Sequence, residues 1–121
     1  MARRDITGAV DFAHLERFAL NDADVIDEVL VLFREQAGLW LRLLDPAGPA
    51  DVWRDGAHTL KGSSLGIGAH DLGKVCGEAE VCADQSPAYK EALLGRLQHA
   101  LDLALSDIAA YRHEQTLRAL R

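Results

Sequence analysis

Residues 57–73 read AHTLKGSSLGIGAHDLG, and the spacing within and just before this stretch decides what kind of element it is. Placed on a helix at about 100° per residue, Trp53, Ala57, Leu60, Ser64 and Ile67 fall on one narrow face. Arg54, His58, Lys61, Gly62 and Leu65 fall on another. The first row is apolar or small and faces inward, so the second faces solvent. An exposed imidazole flanked by a cation and a glycine is not what packing alone selects. Two glycines in three residues, Gly66 and Gly68, suit the end of this helix and a tight connection.

Upstream, DPAGPA at residues 45–50 crowds Pro46, Gly48 and Pro49 into the clearest turn of the chain. It is short, so the helices on either side are expected to be antiparallel neighbours. The preceding helix is long, with a stripe of Val25, Val29, Leu32, Phe33, Gln36, Trp40 and Leu43 or Leu44, and it stops at Asp45-Pro46. Asn21 is expected as its N-cap, with Asp22 and Asp24 in the first turn and Leu20 stapled against Val25. A short helix fits Asp11 to about Leu20, with Leu15, Phe18 and Ala19 on one side. Residues 1–10, MARRDITGAV, lack a helical stripe and read as an N-terminal arm of some mobility.

Downstream, a helix is expected from about Ala69 to Asp84, with Leu72, Val75, Cys76, Ala79, Cys82 and Ala83 as its apolar side. Ser86-Pro87 is an N-cap followed by a first-turn proline. The last helix runs from Pro87 to Thr116 or beyond, with Leu93, Leu97, Ala100, Leu101, Ala104, Ile108 and Tyr111 at three- and four-residue steps. No stretch reads as a strand. The expected fold is all-α: an up-down antiparallel four-helix bundle with an additional short N-terminal helix, residues 11–121 forming one domain behind the arm.

Composition narrows the function. At 121 residues the chain is one domain's worth, too short for a catalytic domain plus a separate binding domain. Its net charge of -6 argues against a nucleic-acid or anionic-membrane surface, both of which need a basic field. Cys76 and Cys82 are the two cysteines, without zinc-like partners, and read as reduced, buried thiols. The chain opens without a charged-then-apolar leader, and its apolar windows are interrupted by charge before a membrane-spanning length. A cytoplasmic, monomeric protein is the expectation.

Residues 57–64, AHTLKGSS, resemble the phosphorylation-site signature of histidine-containing phosphotransfer (HPt) domains, and the order of helices is similar to the HPt bundle over nearly the whole chain. The resemblance implies that His58 takes a phosphoryl group from the aspartate of one receiver domain and returns it to that of another, as an intermediate in a two-component phosphorelay. The implied partners are response-regulator receiver domains and a hybrid histidine kinase. In the family a residue of the following helix, often glutamine, stands next to the histidine. By spacing that place falls to Glu80, a departure whose carboxylate suits orienting the ring N–H but repels a phosphoryl group. A solvated acid on an exposed flank is an equal reading of Glu80.

The chemistry asks for these residue types on physical grounds as well. An exposed imidazole, largely neutral near pH 7, offers a nitrogen lone pair to an acyl phosphate with no activating base. Lys61, one turn on, reaches the phosphoryl oxygens and offsets their charge. Gly62 removes a side chain beside the ring and lets a partner's acidic pocket approach for in-line transfer. General base, metal cluster and oxyanion hole are missing from this set, so no cofactor of its own is expected. The aspartate and its Mg²⁺ would come from the receiver.

Other residues have plainer readings. Ser64 faces inward as a small contact residue bonded to a backbone carbonyl, and packing is the better reading of Ser63 also. His14, His70, His99 and His113 form no i, i+4 ligand pair, and His70 reads as a first-turn residue. The aromatic residues Phe12, Phe18, Phe33, Trp40, Trp53, Tyr89 and Tyr111 read as core or core-edge. Leu65 is a candidate for receiver docking. Two further classes stand behind the phosphocarrier: a helical adaptor that binds a receiver or a partner helix without accepting phosphate, and a carboxylate-bridged metal enzyme. The second needs Glu-x-x-His pairs, and the chain has none.

Overall fold

The computed structural model describes residues 6–120. They form five helices in the order α1 Phe12–Phe18, α2 Ala23–Arg42, α3 Ala50–Gly66, α4 His70–Val81 and α5 Pro87–Ala119, with no strand among the described residues. The α2, α3, α4 and α5 helices run alternately up and down as a bundle, and α1 is tied through its N-cap to the connection between α3 and α4. None of these helices is long and apolar enough to cross a membrane.

The bundle is built around α3. Trp53, Ala57, Leu60 and Ser64 are fully buried and Ile67 nearly so, the row that the sequence spacing places inward. Trp53 also donates its indole N–H to the Ala79 carbonyl at 2.7 Å, which pins α3 to α4 with the one polar atom of the ring satisfied. Ser64 donates to the Leu60 carbonyl at 2.7 Å and so adds no orphaned hydroxyl to the core.

The connection after α3 depends on Gly68. Its φ of +88° lies in the left-handed region, and a Cβ there would meet the Asp11 carbonyl oxygen at 2.5 Å. That close approach is used: the Asp11 N–H donates to the Gly68 carbonyl at 2.9 Å, and the Asp11 carboxylate in turn accepts from His14 N–H to cap α1. In the other sharp turn, residues 45–50, the Asp45 side chain accepts from Ala47 N–H and its carbonyl from Gly48 N–H, and α2 and α3 emerge antiparallel.

Several local expectations are corrected. The N-cap of α2 is Asp22, which accepts from the N–H groups of Asp24 and Val25, and not Asn21. Leu20 and Asn21 both have positive φ, 52° and 59°, so the chain reverses after α1 and leaves Leu20 87% exposed instead of stapled to Val25. The inward face of α2 is Ile26, Leu30, Phe33 and Ala37, one position round from the expected stripe, while Val25 and Leu32 remain exposed. Two apolar stripes offset by about 100° overlap on this helix, and the α3 and α5 surfaces select between them. Phe18, expected on the apolar side of α1, is 80% exposed, and Tyr89 is also exposed, because α1 buries Phe12 and Leu15 and Tyr89 lies in the solvated first turn of α5.

Helix α4 ends at Val81, before the expected Asp84, and Ser86 caps α5 through Tyr89 N–H with Pro87 at the first position. Leu93, Leu97, Leu101, Ala104, Ile108 and Tyr111 are buried along α5, with Ala100 half-buried. Two polar side chains join them. Lys90 donates to the Ala83 carbonyl at 3.1 Å and lies 5.2 Å from the centre of the Trp53 ring. Asp107 accepts from Thr7 N–H at 2.7 Å, Thr7 Oγ1 at 3.0 Å and Val10 N–H at 3.2 Å, which fastens residues 7–10 to α5. The rest of the N-terminal arm, residues 1–5, lies outside the described residues.

Candidate functional site

The candidate residues sit where α3 and α4 cross. Along α3 the outward positions 58, 61 and 65 run antiparallel to positions 80, 77 and 73 of α4. Gly73 and Gly77, one turn apart, remove the side chains that would hold the two helices off each other. Leu65 lies over Gly73 so closely that a Cβ there would come within 2.5 Å of Leu65 Cδ2. The stem of Lys61 lies over Gly77, 3.7 and 3.8 Å from where a Cβ would stand.

At the end of this row the His58 imidazole projects into solvent, its side chain 70% exposed. Its Nδ1 is 2.9 Å from Glu80 Oε2. A carboxylate there accepts, so Nδ1 donates and the Nε2 lone pair points away from the protein. The other carboxylate oxygen, Glu80 Oε1, is 3.7 Å from Lys61 Nζ. Glu80 is thus no solvated acid on a free flank: it is three-quarters covered and joins His58 to Lys61. Sequence spacing brings Glu80 to this place, but it does not reveal the double partnership.

Gly62, one residue beyond Lys61, is exposed, and a Cβ on it would have nothing within 4 Å. The surface beside the ring is therefore open to a partner. On the far side of Gly62, Ser63 and Gly66 of α3 and its C-cap residue Ile67 line an apolar groove together with Phe18 of α1 and Val25 and Leu32 of α2. Phe18, Val25 and Leu32 are exposed here, although the sequence places them in the core. Leu65, 40% exposed, borders the site on the α4 side.

The remaining histidines lie apart from this constellation. His14 and His70 meet edge to face with ring centres 5.8 Å apart, and His70 Nε2 is 3.8 Å from Asp11 Oδ2, at the opposite end of α4 from Glu80. No i, i+4 pattern signals that approach, because the two rings come from different helices. Among the described residues no group of three or more His, Cys, Asp or Glu side chains is arranged to hold a metal ion. Both cysteines are free, and burial pushes the Cys76 thiol up to about 12, against the pull of its hydrogen bond with Ser64.

Comparison with known proteins shows the family and the fold. The family model described as Hpt domain matches residues 24–111. The crystal structure of histidine phosphotransferase ShpA from Caulobacter crescentus superposes with a TM-score of 0.76 at 53% identity, covering 94% of this chain and 100% of that one. No curated protein gives a match. With the family model matching residues 24–111, from the start of α2 into α5, the chain belongs to the Hpt domain family.

Proposed function

We propose that His58 is the residue on which this phosphorelay intermediate carries its phosphoryl group, with Nε2 as the attacking atom. One observation supports this most: the Glu80 carboxylate takes the Nδ1–H, which leaves Nε2 as the free nucleophile on an exposed ring. The ring attacks the phosphorus of a receiver's aspartyl phosphate in line, and the receiver aspartate leaves as a carboxylate. Lys61 supplies positive charge beside the incoming group and Gly62 the space for the partner's acidic pocket. The Mg²⁺ belongs to the receiver in this reading.

The partner is a receiver domain with an uncharged docking face. The groove walled by Phe18, Val25, Leu32 and Ile67 begins next to Gly62, so a receiver held there presents its phosphoaspartate to His58. An apolar centre with charged surroundings is the usual composition of such an interface.

The experiment is transfer from a panel of phosphorylated receiver domains to the wild-type chain and to His58→Gln. Acid-labile, base-stable label on the wild type that is lost in the variant supports the reading. Binding of a receiver without label transfer would replace it with the adaptor.

A further inference from the structure

We infer that Glu80 is a positioning residue whose negative charge keeps the Nδ1 proton on the phosphorylated imidazole, so that the ring departs as neutral imidazole when the phosphoryl group moves on. This rests on the phosphocarrier reading and concerns what the family's usual amide at this position would not supply.

In the free chain the Nδ1–H donates to Glu80 Oε2 at 2.9 Å. When phosphate arrives, the Nε2–P bond forms and the acyl P–O bond breaks, its electron pair passing to the receiver aspartate. No proton moves. The ring then bears a positive charge, delocalised over both nitrogens, in direct hydrogen-bond contact with the Glu80 carboxylate. On release the N–P electron pair returns to Nε2, and neutral imidazole with its Nδ1–H intact is regenerated. If the phosphorylated ring sheds that proton to solvent, the leaving group becomes an imidazolate, which is far less able to depart.

An opposite charge in hydrogen-bond contact favours the charged ring. Glu80 is 24% exposed, so water screens this attraction only in part. Other charged groups nearby include Lys61, whose ammonium is 3.7 Å from Glu80 Oε1, the Arg54–Asp84 pair, closed on itself at 3.2 Å, and the exposed Asp55, one turn before His58 on α3. Lys61 favours loss of the ring proton, and by drawing Lys61 towards itself Glu80 also mutes that opposing effect. A glutamine at position 80 would accept the same Nδ1–H bond without the charge, so geometry and charge separate in one substitution.

The wild-type chain and Glu80→Gln are phosphorylated with potassium phosphoramidate, and loss of the Nε2-linked phosphoryl is followed by ³¹P NMR from about pH 6 to about pH 9. The signal of His58 is assigned by its absence in His58→Gln. The two proteins should decay at similar rates at the acid end. The wild type should become several-fold faster at the alkaline end, because a carboxylate in hydrogen-bond contact favours the ring that keeps its Nδ1 proton. A rate ratio independent of pH, a faster variant, or a wild type without an Nε2 adduct would overturn the role. Phosphoramidate replaces the receiver here, so a flat ratio leaves transfer from receivers standing, whereas failure of receivers to label His58 removes the carrier reading itself.

Discussion

The stem of Lys61 lies across Gly77, with Cδ and Cε in ordinary contact distance of the position a Cβ would take. The ammonium that faces the site is therefore placed by a residue of the next helix that has no side chain. Gly77→Ala should keep transfer within about twofold of wild type and raise stability by about 0.5–1 kcal/mol, since the methyl group fits and glycine disfavours helix interiors. Gly77→Leu should push Lys61 off α4 and slow phosphoryl acceptance about as much as Lys61→Ala, roughly tenfold for a half-exposed charge. Single-turnover transfer from a phosphorylated receiver reads both. Normal rates in Gly77→Leu and Lys61→Ala would remove the electrostatic role of Lys61.

Gly62 tests access without disturbing packing. Nothing lies within 4 Å of its missing Cβ, so Gly62→Gln should fold with equal or greater helicity by circular dichroism. The same variant should weaken receiver binding and transfer by about tenfold or more, as expected when a well-packed interface centre is overfilled. Unchanged binding, measured calorimetrically, would show that the partner does not approach across Gly62.

Asp107 should matter for stability and not for chemistry. Fully buried, it accepts three hydrogen bonds from Thr7 and Val10. Asp107→Ala should cost about 2–4 kcal/mol in urea denaturation, because three donors, wholly or partly buried, lose their acceptor. Transfer by the folded fraction should be unaffected, since α5 does not contribute to the site.

The Cys76 thiol gives a signature in alkali. Its pKa is raised from the ordinary 9.0 to about 12 by burial, so between those values the unfolded chain binds fewer protons than the folded one. Stability from this source is constant below about pH 9 and falls above it, by at most about 1.4 kcal/mol per pH unit. Denaturation at about pH 8 and pH 10 should show wild type losing more stability than Cys76→Ala. Equal losses would indicate that the thiol ionises as readily in the folded chain.

The inward row of α3 and the caps at Ser86 and Pro87 were legible because one periodicity and one cap pattern fit each of them. α2 was not, since Val25, Val29 and Leu32 make as good a stripe as Ile26, Leu30 and Ala37, and only tertiary contact chooses. The stripe left outside, with Phe18, became the exposed groove beside Gly62. Lys90 and Asp107 were missed because hydropathy counts a charged side chain as exposed, whereas a carbonyl and an indole ring satisfy one and two residues of the N-terminal segment the other. At the site, His58, Lys61 and Gly62 are consecutive outward positions of one helix and so readable from spacing. The contact of Glu80 with both His58 and Lys61 depends on how closely α4 approaches, which Gly73 and Gly77 allow.

The most direct measurement is to locate the phosphoryl group after incubation with a phosphorylated receiver, by mass spectrometry under neutral conditions and by ³¹P NMR of the intact chain, with ATP and Mg²⁺ alone as the control. A single adduct on His58 through Nε2, absent from the ATP control, is the expected result. An adduct on another histidine or on His58 Nδ1, or label appearing from ATP alone, would contradict the assignment of His58 as a phosphocarrier oriented by Glu80.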